Sequence, residues 1–227
     1  GITQTFPQTF TSSQAITKIG GGIIVMNTNS QTYTGGTTIK AGTISISQNN
    51  GVAVTVTLDG GTRQITVARS LARPINTTAT GGYVEVTGAI NVSANGTLTG
   101  TGNLIKIGTG TFTYSGTNSL TAPIVINEGV YVTNSISRVA NAATNWVMGG
   151  GSYRYTGATT TTAKFFTLTD GTSSSIDVFT AGTTLTISGA SPSSTGGLNK
   201  AGAGTLVLSG ANAYTGTTTI SAGTLTL

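Results

Sequence analysis

Few side chains of this sequence could do acid, base or metal chemistry. The 227 residues include no Cys and no His, which removes thiol nucleophiles, zinc-thiolate sites and the commonest general base. Glycosidase and calcium sites need clustered carboxylates, but the chain has only five acids and they are scattered: Asp59, Glu85, Glu128, Asp170 and Asp177. We therefore predict no catalytic residue, no metal and no cofactor, and that the chain is not an enzyme.

The most basic stretch is GTRQITVARSLARPIN, which carries Arg63, Arg69 and Arg73. Three arginines this close could form a surface patch for a polyanion or for lipopolysaccharide. The alternative is that they sit separately at the rims of adjacent strands. The net charge of +5 is too dilute over the chain to favour nucleic-acid binding.

Aromatic side chains offer a second candidate surface. Trp146, Tyr153 and Tyr155 could form a platform for a sugar or for a partner protein. The alternative is that they pack in the core. Tyr33 and Tyr214 recur at matched places in the repeats described next, which favours a structural role for both.

The elements that must position these side chains are short strands. Leu, Ile and Val alternate with Thr and Ser over a few residues at a time, and glycines separate the runs. This period of two predicts strands joined by tight corners, whereas the density of Gly and Thr disfavours helices. No apolar run approaches the roughly 20 residues that a membrane-spanning helix needs.

The chain contains an internal repeat. Residues 200–227 read KAGAGTLVLSGANAYTGTTTISAGTLTL, residues 18–46 match them with one insertion, and a more divergent copy covers 106–132. A repeated strand and corner that cannot bury its own apolar face must stack on its neighbours. We predict an all-β, right-handed parallel β-helix of about nine coils, with identical corners stacked along the axis.

The string GAGTLVLSGANAYTGTTTISAGTLTL resembles the autotransporter-associated β-strand repeat of bacterial passenger proteins. Residues 149–202 are similar to the spacers between such repeats. The resemblance implies export, a β-helical passenger and display at the bacterial surface or outside the cell. It implies no catalytic residues, and no outer-membrane barrel follows in this sequence.

The two ends look uncapped, because the sequence stops inside a strand at Leu225 and Leu227. Near the start, Ile2, Phe6 and Phe10 are all at even-numbered positions, so in an extended chain they would point to the same face. Open strand edges recruit other chains, so residues 1–17 could cap the helix or donate a strand, with 18–227 forming a single β-helix. Either the chain continues in a longer passenger, or its ends stack on other subunits to make a filament.

Three functions remain open at this point. A structural stalk or extracellular filament comes first, because the repeats are regular and no site converges. An adhesin that binds a host or matrix ligand through a lateral face comes second. A polysaccharide-active enzyme is the most distant alternative.

Overall fold

The computed structural model describes residues 2–6, 13–26, 33–46 and 54–227. The predicted all-β parallel helix is confirmed, as a solenoid of about ten turns and not nine. Every strand pair is parallel and joins one turn to the next. In the described part of the chain, no helix is long and apolar enough to cross a bilayer.

Three sides surround the interior, and each side is a stack of strands. The first side is a nine-stranded sheet of β1 (Thr3–Phe6), β3 (Ile23–Met26), β5 (Thr43–Ile46), β7 (Thr62–Ile65), β10 (Gly82–Val86), β13 (Leu104–Ile107), β16 (Ile124–Ile126), β18 (Trp146–Met148) and β21 (Phe166–Leu168). The second side is an eight-stranded sheet of β8 (Arg69–Leu71), β11 (Asn91–Ala94), β14 (Thr111–Tyr114), β17 (Val130–Thr133), β19 (Ser152–Tyr155), β22 (Ser173–Val178), β24 (Gly197–Ala201) and β26 (Thr218–Ile220).

The third side is divided into two sheets. One has six strands, namely β2 (Ile16–Lys18), β4 (Thr37–Ile39), β6 (Val56–Leu58), β9 (Ile75–Thr77), β12 (Leu98–Gly100) and β15 (Asn118–Leu120). The other has four, namely β20 (Thr160–Thr162), β23 (Thr184–Ile187), β25 (Thr205–Leu208) and β27 (Thr224–Thr226). Between β17 and β18 the chain forms a 3₁₀ turn, Ile136–Arg138, in place of a strand.

The alternation in the sequence becomes an inside and an outside. In β10, Gly82, Val84 and Val86 are buried while the alternate residues Tyr83 and Glu85 are partly exposed. Successive strand residues point to opposite faces, so one parity of each strand fills the interior and the other meets solvent. The interior is one continuous apolar cluster from Met26 to Leu208.

The three repeat copies do not stack on the same corner, contrary to our prediction. The first copy turns from the third side (β2) to the first side (β3), the second from the first side (β13) to the second (β14), and the third from the second side (β24) to the third (β25). Successive copies are about four turns apart, and each is displaced to the next side. The repeat therefore encodes a corner, and any of the three corners can be built from it.

A buried lysine opens each copy of this corner. Lys106 is 1% exposed, and its ammonium donates to the carbonyls of Ile107 at 2.9 Å, Gly108 at 2.7 Å and, one turn on, Glu128 at 3.2 Å. Lys200 makes the same three bonds to Ala201, Gly202 and Ala222, and Lys18 makes them to Ile19, Gly20 and Ala41. We call this arrangement the lysine clamp.

The lysine clamp needs a glycine on the following turn. Gly42, Gly129 and Gly223 lie opposite the three ammonium groups with φ of 66°, 61° and 67°, a region that favours glycine. A Cβ at these glycines would overlap carbonyl oxygens of the preceding turn. The pairing of Lys with this glycine explains why both recur in all three copies.

We expect Lys106→Met to destabilise the solenoid by about 2–3 kcal/mol, since methionine fills similar space but leaves three carbonyls without their donor. Burial lowers the pKa of Lys106 to about 8, opposed by the charges of Glu128 and Glu85, so the wild-type ammonium is charged at pH 7. Urea unfolding at pH 7 measures the change.

The matched control is Lys40→Met, at a lysine whose side chain is exposed. This substitution should leave the free energy of unfolding within about 0.5 kcal/mol of the wild-type value. Equal effects of the two substitutions would show that the lysine clamp contributes nothing specific.

Candidate functional site: a polar groove on the third side

The third side is interrupted where the turn of β16 and β17 has no third strand. As a result β15 is the last strand of the six-stranded sheet and β20 is the first of the four-stranded sheet. Residues 134–145 pass between these two edges. The interruption makes this the irregular part of an otherwise repetitive lateral surface.

Apolar side chains anchor the 134–145 segment to the interior. Ile136, Val139 and Ala140 are 8%, 0% and 2% exposed, at the spacing that one helical turn places on one face. The amide hydrogens of Val139 and Ala140 both bond to the carbonyl of Ile136, at 3.0 and 2.8 Å. The segment is thus a packed plug and its polar residues are held at the surface.

An asparagine covers the open edge of β15. The Nδ2 group of Asn141 donates to the carbonyls of Asn118 at 3.2 Å and Leu120 at 2.7 Å. These are backbone acceptors that a neighbouring strand would otherwise satisfy. Asn141 therefore ends the six-stranded sheet and fixes the position of the segment.

Two depressions flank the segment. The larger, about 430 Å³, lies towards β20; the smaller, about 250 Å³, lies towards β15. We call the larger one the polar groove, because hydroxyl and amide groups dominate its lining. Its lining residues are Asn134, Ser135, Ile136, Ser137, Ala140, Asn141, Ala142, Tyr155, Ala158, residues 159–162 and Lys164.

The charges at the polar groove and its smaller neighbour are all positive. Lys164 lines the groove and donates to the carbonyl of Ala142 at 2.9 Å. Arg138 lines the smaller depression, donates to the carbonyl of Gly116 at 3.3 Å and bonds Oδ1 of Asn134. Within the described chain neither depression has an acidic lining residue. The surface can therefore exchange hydrogen bonds with a hydroxyl-rich ligand and tolerate negative charge on it.

The structure does not place the three predicted arginines on a surface. Arg63, Arg69 and Arg73 are 1%, 8% and 7% exposed, because each occupies an inward position of the same turn. They cannot form the patch for lipopolysaccharide or another large polyanion that the sequence suggested. They do lie together, inside the solenoid.

The aromatic candidates are also interior. Trp146 and Tyr153 are 0% exposed and Tyr155 is 3% exposed, so they form no lateral platform. Trp146 packs against Tyr153 at 5.7 Å and Phe166 at 5.9 Å between ring centroids, as in the core-packing alternative. Only the hydroxyl end of this set approaches the polar groove, where Tyr155 donates to the carbonyl of Ala158 at 2.7 Å.

The repeated tyrosines support their corners. Tyr33 is buried and shares a hydrogen bond of 2.6 Å with Oγ1 of Thr37, and Thr218 makes the equivalent bond to Tyr214 at 3.2 Å. In both copies the two partners are four residues apart. The bond between the two hydroxyl groups thus joins the corner tyrosine to the first residues of the following strand.

Glu85 and Glu128 both lie beside Gly108, but the five acids form no single cluster. Each of them accepts a hydrogen bond from a group about one turn away along the chain; the pairs are Asp59 with Thr78, Glu85 with Gln64, Glu128 with the amide of Gly108, Asp170 with Thr195, and Asp177 with Arg154. Among the described residues no three of His, Cys, Asp and Glu lie close enough together to hold a metal. The acids join turns to one another.

The residues proposed for assembly lie in the outermost described turns. Ile2 is 85% exposed, Leu227 is 82% exposed and Leu225 is partly buried. The side chain of Phe6 and the whole of Phe10 lie outside the described residues. End-to-end assembly through these residues stays a prediction.

Comparison with known proteins gives a consistent picture. The profile of the passenger-associated-transport-repeat family matches residues 16–46, 104–130 and 198–227, and each match begins two residues before the lysine of a clamp. The predicted resemblance to passenger repeats is confirmed. No solved structure matches the chain.

A curated relative covers almost the whole chain. The adhesin BmaC autotransporter of Brucella suis biovar 1 (strain 1330) is 35% identical over 258 aligned residues, which include 98% of this chain. The chain spans only 8% of the length of that relative.

The interior tyrosines make the stability fall at alkaline pH. Burial raises the pKa of Tyr114 to about 12 and also raises the pKa of Tyr131 and Tyr153 well above the ordinary value. Between pH 10 and 12 the unfolded chain has lost these protons while the folded chain keeps them, so folding becomes less favourable as pH rises. The lowered pKa values of Lys106 and Arg63 act in the opposite direction over the same interval, so the tyrosine effect is measured as a difference between two chains. Urea unfolding at pH 9 and pH 11 should show that the free energy of unfolding changes less unfavourably with rising pH in Tyr131→Phe than in the wild-type chain. An unchanged slope in that variant would contradict the assignment.

Proposed function

Because three passenger-associated-transport repeats make this chain an autotransporter passenger repeat protein, we propose that it is a rod segment of a surface adhesin. The segment acts as a stalk and carries a lateral contact site in the polar groove. It is displayed at the bacterial surface or outside the cell. Its action is binding and not catalysis.

The stalk role is supported by the regular stacking of turns. Parallel strands are about 4.8 Å apart along the axis, so ten turns extend roughly 50 Å. A solenoid adds length with each turn while its cross-section stays the same. A chain that spans 8% of an adhesin relative therefore fits the role of one section of a long rod.

The observation that carries the binding role is the interruption of the third side. Residues 134–145 replace a strand of the third side and create a groove of about 430 Å³ on its lateral surface. Ser135, Ser137 and residues 159–162 line the groove with hydroxyl groups, which both donate and accept hydrogen bonds. This chemistry suits an oligosaccharide, which is covered by hydroxyl groups that both donate and accept.

The placement of the acids supports a binding role over catalysis. Hydrolysis of a glycosidic bond uses two carboxyl groups that flank the bound sugar. Here each acid accepts a hydrogen bond from a neighbouring turn. The polar groove contains none of the five.

The test is to fill the groove. Thr161 is an exposed residue of β20 that lines it, and Thr161→Trp should lower the affinity for cultured epithelial cells or for an immobilised oligosaccharide panel about tenfold or more, equivalent to roughly 1.4 kcal/mol. Ser93→Trp is the matched control, because Ser93 is an exposed mid-strand residue on the second side. It should leave binding unchanged.

The outcomes separate the two parts of the proposal. No saturable binding by the wild-type chain to cells or sugars would remove the adhesin role itself. Saturable binding that Thr161→Trp and Ser93→Trp leave equally strong would keep the adhesin role and place the site away from the groove.

A further inference from the structure

One turn of the solenoid places three arginine side chains in the interior, beside Ile65, Leu71 and Ile75. In residues 62–77, β7 turns Arg63 inward, β8 turns Arg69 inward, and Arg73 follows before β9. All three side chains are more than nine-tenths buried. The next turn fills the equivalent interior positions with Val84 and Val92, so the three guanidinium groups form a single layer. We call it the arginine layer.

No carboxylate neutralises the arginine layer. The sequence has five acidic side chains, and each is bonded to another group on a neighbouring turn, as described above. Among the described residues, Nη1 of Arg73 donates to the neutral hydroxyl of Tyr33 at 3.2 Å, and the Arg73 guanidinium lies 5.5 Å from the centre of the Tyr33 ring. Tyr33 in turn bonds Thr37.

Arg63 has hydrogen-bond donors that no described residue accepts. Its Nε and Nη1 atoms are fully buried and lack an acceptor among the residues that the structure describes. Burial lowers the pKa of Arg63 to about 9, and the charges of Arg73 and Arg69 add to this, yet the group is still protonated at neutral pH. A buried charge without a partner costs several kcal/mol, and buried donors are nearly always satisfied.

We propose that the arginine layer is a binding site for a small inorganic anion, which accepts hydrogen bonds from Arg63 and is neutralised by all three guanidinium groups. Chloride and inorganic phosphate share the necessary chemistry, a compact negative charge with several acceptor directions. A guanidinium donates in a planar fork that suits such acceptors. The anion would then be a structural component of the turn, held inside the rod and separate from the polar groove.

Ligand-dependent stability tests the proposal. Sodium chloride or sodium phosphate, each compared with sodium gluconate at equal ionic strength, should raise the urea midpoint of the wild-type chain in a saturable way. Above the dissociation constant, each tenfold increase in anion should shift the unfolding equilibrium about tenfold. Gluconate is the reference anion because it is too bulky to enter a site enclosed by three arginine side chains.

Substitutions separate the site from a general salt effect. Arg63→Met should abolish the anion dependence, whereas Lys40→Met, which removes an exposed charge, should leave it intact. A wild-type midpoint that is the same in chloride, phosphate and gluconate would overturn the proposal. Equal anion dependence in the two variants would overturn it as well.

A second measurement covers the case in which Arg63→Met fails to fold. Crystals of the wild-type chain grown in sodium bromide should show an anomalous scattering peak within hydrogen-bonding distance of Nε or Nη1 of Arg63. Well-ordered arginine density with no such peak would contradict the proposal, whatever the behaviour of the variant.

Discussion

Every turn of this protein must return to the strand below it in a register that repeats about every 20 residues. In β3 and β5 that register pairs Ile23 with Thr43 and Met26 with Ile46, and the same parallel pairing continues to β27. Because the hydrogen bonds run between turns, no turn is complete without its neighbours. In this register, inward side chains of one turn stack on inward side chains of the next. The inward residues of each turn therefore form a separate layer of the interior. The continuous apolar core, the aromatic layers and the arginine layer all follow from this one constraint.

Corners are where the constraint is hardest to meet, because the chain must change direction without leaving carbonyl groups unsatisfied. The lysine clamp meets it with one ammonium that bonds two carbonyls of its own turn and one of the next. Asn141 does a comparable job at the edge of β15, where the strand stack stops. Both solutions are polar groups placed against backbone acceptors. The difference is that the clamp continues the solenoid, whereas the asparagine ends a sheet and allows the groove beside it.

Much of the fold could be predicted from the sequence, because alternation and repetition are local properties. The short strands, the corner glycines and the stacking of turns all follow from residues such as those of KAGAGTLVLSG. Which side each copy would occupy could not be predicted, because that depends on the residues in each intervening turn. The inward direction of Arg63, Arg69 and Arg73 could not be predicted either. They share their parity with the inward Ile65 and Leu71, but arginine is rarely buried, so the alternation alone did not assign them to the interior. The polar groove had a weak signal, since SRVANAATN lacks the alternation found on either side of it.

The displacement of successive copies to the next side has a consequence for how such a gene can change. Tandem repeats gain and lose copies through unequal recombination between matching segments. In this protein the matching segments form different corners. Recombination between two copies would therefore place the sequence that normally follows one corner after another corner. Every strand after the junction would then lie on the neighbouring side of the rod. The polar groove would then face a new direction relative to the turns before it. A change in the number of repeats would thus change the direction in which surface features face around the rod axis, as well as the length of the rod.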